Sequence, residues 1–400
     1  MIPRFRAVPP SPAQLAADPA APHILFVAAD IGGLVLATGA IGLGLSREGD
    51  LARVVASRSQ LDRMVLELRT RGLALADDLA RYLSPERAWK LRTRSLELDR
   101  PYVMGILNLT NDSFSGDGVG RDVASALNRA EFLQEAGADI IDVGAETARA
   151  DRPAVDPEEE AATVAPVIAA LVSAGFLVSI DAYKPLVVRV ALESGAEIVN
   201  DISGLTLGVG AAAEAARAGA GYVLNYSYSV PKRRPDMPPV YADVVTETLA
   251  WMEGRIEQLR AAGLADPHVA LDPGIAFGKS HDEDLQMLRR IGEVRTFGLP
   301  LLLAHSRKNF IGSVSGRPPE DRDIETHAAS VLAFEQGVRI FRVHDPAGTS
   351  RALELAAAIA AGKPGDYAPD GASWPWRAGS GASHMTRAES DKPAPPGQRW

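Results

Sequence analysis

The amino-acid sequence predicts an α/β protein: a (β/α)8 TIM-type barrel over residues 97–362, with a small α/β unit before it and a disordered tail after it. Three observations predict the barrel. From Pro101 onward, short apolar runs alternate with helical patterns eight times. The apolar runs are nearly continuous, as parallel strands covered on both faces must be. The repeat fills about 260 positions, close to the roughly 250 usual for this architecture. A doubly wound open sheet alternates in the same way, but eight units without a dinucleotide-type glycine fingerprint favour the barrel.

Strands are expected at Val103–Leu107, Ala138–Gly144, Phe176–Asp181, Glu197–Asp201, Tyr222–Asn225, His268–Asp272, Pro300–His305 and Val338–His344. Between them lie helical spacings such as Val123, Ala126, Leu127, Ala130 and Leu133, all on one face. Asp156-Pro157 reads as an N-cap followed by a proline at the first helical position. Gly137, Gly175, Gly195, Gly292 and Gly337 follow helical patterns, where a left-handed residue closes a helix.

Upstream, the Pro/Ala-rich residues 1–22 read as a flexible arm and residues 23–96 as an accessory α/β unit. Its elements are a strand at His23–Ala29 and helices at Ser59–Arg71 and Leu75–Leu83. The apolar run Ile31–Leu45 is bracketed by Asp30 and Arg47 and falls short of the roughly 20 residues a span needs, so no membrane segment is expected. Residues 363–400 are rich in Pro, Gly, Ser and charge without periodicity, the signature of a disordered tail.

A net charge of -9 argues against a nucleic-acid partner, which needs a dense Lys/Arg surface. It leaves room for a local cationic cluster facing an anionic small molecule. The chain has no cysteine, so disulfides, thiolate metal sites and cysteine nucleophiles drop out, and a reducing cytoplasm is the expected compartment. The N-terminus lacks the apolar core of a secretory signal.

Nearly every expected strand turns polar at its C-terminal end. Asn108 follows the first; Asp142 and Glu146 end the second, Asp181 the third, Asn200-Asp201 the fourth, Asn225 the fifth and Asp272 the sixth. Ser306-Arg307-Lys308 and Arg342–Asp345 end the last two. A single such residue is as readily a helix cap. Together they mark the barrel face on which active sites are built. Asp181, Asn200 and Asp272 supply acceptors and a side-chain amide, suited to a flat heterocycle bearing N–H donors. Asn108, Arg149, Lys308, Arg342 and His344 form a cationic, donor-rich set suited to phosphate. His305 and His327 read as structural histidines.

Seven segments in order carry a resemblance to a known family: Met104–Ser115 (MGILNLTNDSFS), Asp142–Arg149 (DVGAETAR), Ser179–Lys184 (SIDAYK), Asn200–Gly204 (NDISG), Leu271–Lys279 (LDPGIAFGK), Ser306–Lys308 (SRK) and Arg342–Asp345 (RVHD). The chain resembles the dihydropteroate synthases over about 260 residues. The resemblance implies a transferase that joins 6-hydroxymethyl-7,8-dihydropterin pyrophosphate to p-aminobenzoate or a related arylamine in folate biosynthesis, releasing pyrophosphate. It implies that Asp181, Asn200, Asp272 and Lys308 hold the pterin, and that Asn108, Arg149, Arg342 and His344 hold the pyrophosphate. Asn108 would complete a Mg2+ site. Phe277, Lys308 and Asn309 would border the arylamine, and loops 109–120 and 145–155 would close over it. Asp181, Lys308, Arg342 and His344 would be the catalytic set, and the family implies a homodimer.

The sequence departs from the family pattern at Asn111, Ala148, Ala150-Asp151, Ala276, Asn309 and Asn225-Tyr226-Ser227, the last in place of a Met-His-Met-like strand end. These changes fall mainly on the amine side and its loops. They are drift in tolerant loops, or they mark a different arylamine or weak sulfonamide binding. Two alternatives remain: a methyltetrahydrofolate–corrinoid methyltransferase-like enzyme, which needs no pyrophosphate site, and a non-catalytic pterin-binding paralogue. Mg2+-dependent pyrophosphate release separates the first from a synthase, and rescue of a synthase-deficient strain excludes the second.

Overall fold

The N-terminal residues build an antiparallel sheet before the barrel begins. In chain order the elements are β1 (Phe5–Val8), α1 (Pro12–Ala17), β2 (His23–Val27), α2 (Ile31–Ala40), β3 (Leu45–Glu48), β4 (Leu51–Ala56), α3 (Arg58–Thr70) and α4 (Leu75–Leu83). The strands lie in the order β1-β2-β4-β3. The computed structural model describes residues 4–109, 122–147, 152–229, 231–232 and 239–362. Arg149, Asn111, Ala148, Ala150, Asp151, most of loop 109–120 and the expected tail therefore lie outside the described residues.

Period-2 alternation puts Phe5, Ala7, Leu25, Val27 and Val54 on one face of this sheet, where Leu34 of α2 and Leu61, Met64 and Leu68 of α3 cover it. Residues 1–22 are thus not a free arm throughout. Phe5 pairs with Val27 on β2, and Ala7 N–H donates to Thr296 Oγ1 at 2.9 Å. Arg6 bonds to Thr246 and lies 3.6 Å from the Glu293 carboxylate. Four residues before Pro9-Pro10 are too few for alternation to register, and both sides of the pairing come from distant segments. The apolar run from Ile31 splits into α2 and a separate strand. Among the described residues no helix is long and apolar enough to cross a membrane.

A hairpin, β5 (Ala88–Lys90) and β6 (Ser95–Glu97), leads into the barrel. The barrel strands are β7 (Tyr102–Asn108), β8 (Ile140–Gly144), β9 (Val178–Asp181), β10 (Ile198–Asp201), β11 (Gly221–Asn225), β12 (Val269–Asp272), β13 (Leu302–Leu303) and β14 (Ile340–Val343). All eight expected strands are present, in the order β12-β11-β10-β9-β8-β7-β14-β13, and all neighbours are parallel. A parallel bridge from Leu271 to Leu301 joins the two ends of the sheet.

The outer helices are α5 (Val123–Glu135), α6 (Pro157–Ser173), α7 (Pro185–Glu193), α8 (Gly210–Ala218), α9 (Val244–Ala261), α10 (His281–Arg289), α11 (Asn309–Ser315), α12 (Asp323–Glu335) and α13 (Pro346–Ala361). Asp156 caps α6 by accepting from the N–H groups of Glu158 and Glu159. Gly137, Gly175, Gly195 and Gly337 take positive φ as expected. Gly292 does not; it lies inside a 3-10 helix, Ile291–Phe297, that separates α10 from β13.

One end of the barrel is closed by the hairpin. Trp89, Leu91 and Leu96 pack with Met104, Ile140, Ile198, Val223, Ala270, Leu302 and Ile340 from the barrel interior. The Trp89 indole donates to His268 O at 2.8 Å, at the start of β12. Gly221 opens β11 without a side chain, because a Cβ there would sit 2.5 Å from Leu91 Cδ2. The N-terminal ends of the strands are therefore sealed with apolar mass, and the polar C-terminal ends form the open face. Trp89→Ala should cost about 3–5 kcal/mol in urea unfolding, the usual range for emptying a buried tryptophan site. A loss under about 1 kcal/mol would show that the hairpin is not part of the barrel core.

Candidate active site

The strand ends converge on one guanidinium. Arg342, on β14, donates from Nε to Asp142 Oδ2 at 2.6 Å and from Nη2 to Asp181 Oδ2 at 2.7 Å. Asn200, on β10, donates its amide to the same Asp142 oxygen at 3.1 Å. Asp142 is fully buried, while Arg342 and Asp181 keep 18% and 16% of their side chains exposed, so the cluster opens on one side only. The sequence reading placed Asp142 at a strand end without giving it a role. It is the hub of the floor. Its other oxygen, Oδ1, is buried and has no hydrogen-bond partner among the described residues. A buried acceptor left open in this way is a place for a ligand donor.

Burial in the mouth raises the Asp181 carboxyl to about 7, helped by the neighbouring Asp142 charge and opposed by Arg342. Asp272, at the end of β12, is likewise raised by burial, and Lys308 and the Gly274 N–H, 2.8 Å from Oδ1, pull the other way. Burial lowers the Lys308 ammonium to about 8, against the pull of Asp272 and Asp284. Lys308 donates to Ile275 O at 2.7 Å and sits 4.9 Å from the Phe277 ring centroid. Asp272, Phe277 and Lys308 thus form a second group beside the Arg342 cluster.

Asn108 ends β7 close to Asp181. A Cβ on Gly144, between them, would lie 3.5 Å from Asp181 Cβ and 3.9 Å from Asn108 Oδ1, so glycine keeps that gap open. His344 is oriented by Ser306, whose hydroxyl lies 2.9 Å from His344 Nδ1 and 3.2 Å from its backbone N. No group of three or more His, Cys, Asp or Glu among the described residues is placed to cage a metal. Asn108, at the end of β7, offers a side-chain oxygen of the hard-donor type that Mg2+ prefers.

Asn309 is exposed, with its amide oxygen 3.3 Å from Arg322 Nη1. Arg322 also donates to Arg307 O and Arg317 O, and Arg307 forks onto Asp323 at 2.8 and 2.7 Å, so the Ser306–Asn309 turn is clamped from outside. His305 is a buried structural histidine bonded to Thr326 O and Ser330. His327 lies on α12, 3.0 Å from Asp345, the N-cap of α13.

The loop after β8 is tied down at its base by a charge network that sequence reasoning did not find. Lys184 lies 2.7 Å from Glu146 and 2.6 Å from Glu160, and donates to Val155 O at 2.7 Å. Tyr183 OH and the Val155 N–H donate to Glu146 as well. Against the upward push of burial, these donors hold Glu146 below the usual carboxylate range, while burial prevails at Glu160. Lys184→Met takes from two buried carboxylates the ammonium that both pair with, an expected loss of about 3–5 kcal/mol at neutral pH by urea unfolding. Carboxylates whose folded pKa is raised lose stability as pH rises through that pKa, so the deficit should shrink toward pH ~5. A deficit that does not change with pH would contradict the assignment.

Known proteins share this fold and much of this sequence. Residues 104–344 match the pterin-binding enzyme family. The chain is 38% identical over 270 residues to the dihydropteroate synthase of Escherichia coli K12, an alignment covering 67% of this chain and 95% of that protein. The Yersinia pestis dihydropteroate synthase solved with a sulfonamide drug superposes with a TM-score of 0.65 at 36% identity, over 69% of this chain and all 100% of that one. The Xanthomonas albilineans dihydropteroate synthase in complex with 7,8-dihydropteroate gives 0.60 at 37% identity, over 68% and 98%. In each of these three pairwise comparisons about a third of this chain is left over.

Proposed function

This chain belongs to the pterin-binding enzyme family, and from that membership we propose that it is a transferase of the dihydropteroate synthase type. It condenses 6-hydroxymethyl-7,8-dihydropterin pyrophosphate with p-aminobenzoate or a related arylamine, in folate biosynthesis. The observation that carries the assignment is the open Asp142 oxygen among the strand-end carboxylates, a buried acceptor for a ring N–H. The related synthase solved with 7,8-dihydropteroate supports it.

In this reading Asp142, Asp181, Asp272 and the Asn200 carbonyl oxygen take the pterin N–H groups, and Lys308 donates to a ring acceptor. The guanidinium of Arg342 has five N–H donors and spends two on Asp142 and Asp181, leaving three for pyrophosphate oxygens. His344, Asn108 and Arg149 complete the anion side. Asn108 would help to hold Mg2+ on the anion side, where the ion would supply charge neutralisation for the leaving group. The carbon–oxygen bond breaks with its electron pair leaving on pyrophosphate, and the carbon left behind shares its positive charge with the ring. Ionised Asp181 stabilises that charge. The arylamine nitrogen then forms the new bond and releases a proton. Phe277, Lys308 and Asn309 border the amine. No protein nucleophile takes part.

Two further parts of the proposal are a cytoplasmic location and a homodimer. Ile324 and Leu332 on α12, and Leu355 and Ile359 on α13, are exposed apolar residues on adjacent helices that a second copy would cover.

The decisive assay incubates the protein with pterin pyrophosphate, Mg2+ and a panel of arylamines, following pyrophosphate and product mass. One pyrophosphate per condensed product is expected; release with no amine condensed, or no release at all, would sink the proposal. The pH dependence is specific. Asp181 must be ionised, so kcat/KM for the pterin substrate should rise through about pH 7. Lys308 must be protonated, so it should fall above about pH 8. Asp181→Asn should lower kcat by about 10²–10³-fold and remove the acid limb; an acid limb unchanged in that variant would assign it elsewhere.

A further inference from the structure

The loop that carries Phe277 rests on a pair of tyrosines that no family motif supplies. Tyr226 follows β11 at the strand end where the sequence departs from the Met-His-Met-like pattern, and its ring is buried. Its hydroxyl lies 2.8 Å from that of Tyr241, and Tyr241 donates to Gly278 O at 2.8 Å. Each phenol has one hydrogen, so with Tyr241 committed to Gly278 the Tyr226 hydroxyl is the donor to Tyr241. The result is a directed chain from the barrel wall to the residue after Phe277.

The rest of the loop is seated on the same wall. Lys279 donates to Pro273 O at 2.9 Å and Gly274 O at 3.2 Å, and its ammonium lies 3.5 Å from the Tyr226 ring centroid. Gly274 and Gly278 have φ of +67° and +81°, and a Cβ on either would collide with Tyr226 O or Tyr228 Cβ, at 2.1 and 2.3 Å. Ala276 is held with φ +66°, a conformation L-residues avoid, by its N–H bond to Asp284 at 2.8 Å. The neighbouring Ile275 carbonyl accepts from Lys308.

We propose that Tyr226 and Tyr241 are positioning residues that brace the 273–279 loop, fix the Phe277 ring and thereby set the affinity for the arylamine rather than for the pterin. This rests on the synthase assignment above. The brace acts at Gly278, beside Phe277. The pterin set meets this loop at its other end only, where Gly274 N–H bonds to Asp272 and Ile275 O accepts from Lys308, and among the described residues Asp142, Asp181, Asn200 and Arg342 make no hydrogen bond to it.

Tyr241→Phe deletes one hydroxyl and leaves Gly278 O without its donor. The arylamine KM should rise about fivefold, the worth of one hydrogen bond, with the pterin pyrophosphate KM and kcat within about twofold. Tyr226→Phe keeps the Tyr241–Gly278 bond and should have the smaller effect. The double variant should be no worse than Tyr241→Phe, because the two hydroxyls act in series. Both substrate KM values rising together, or additive effects, would overturn the proposal. Hydrogen exchange of the 274–279 amides, measured on the same full-length proteins without substrate, should accelerate in Tyr241→Phe while β11 stays protected. Unchanged exchange would overturn the brace whether or not the wild type turns over. A wild type that releases no pyrophosphate, with the loop still loosened in Tyr241→Phe, would instead reject the synthase assignment and the amine role with it.

Discussion

The candidate site depends on one guanidinium shared by two carboxylates. Asp142, within β8, and Asp181, at the end of β9, stand on neighbouring strands, and two carboxylates brought together out of water repel each other and resist ionisation. Arg342, entering from β14, makes the pair tenable by bonding to both. Removing one partner of such a buried set leaves an uncompensated charge, typically a loss of several kcal/mol. Among the described residues the same guanidinium has three further N–H donors, which the proposed function gives to an anion. A ring with N–H donors at one end and phosphate at the other fits both halves.

The barrel makes this possible by separating duties along its axis. The Trp89 hairpin closes the N-terminal end with apolar side chains, so stability there does not draw on the polar groups. At the other end Asp142 Oδ1 has no partner among the described residues, and burial shifts Asp181 and Lys308 toward neutrality. Around the mouth, cationic side chains hold the loops, through carboxylates or through backbone carbonyls. Lys184 serves the base of one and Arg322 the turn that carries Lys308.

What could be read from sequence was what is periodic or ordered along the chain. The eight strands and their polar ends follow from apolar runs that stop at chemistry-bearing residues, and the ordered motifs named the family. What could not be read was pairing between distant positions. Asp142 and Arg342 are 200 residues apart, and nothing local in either strand says that they meet. The same holds for Lys184 with Glu160 and for Tyr241 with Gly278. Strand β1 escaped notice because its hydrogen bonds and its covering side chains come from elsewhere. Asn309, expected at the amine side from its motif position, is exposed and also bonded to Arg322, a partner that the motif does not reveal. A motif locates a residue on a turn without showing which way the turn is clamped.

The central claim is that Arg342 joins the ring half and the anion half of the site into one unit. It is tested by titrating wild type and Arg342→Lys with 6-hydroxymethyl-7,8-dihydropterin and with its pyrophosphate. A lysine is a point charge that cannot fork onto Asp142 and Asp181, so the affinity for both ligands should fall, including the one that carries no phosphate. Weaker binding of the pyrophosphate alone, with the bare pterin bound as tightly as before, would show two independent halves and contradict the account.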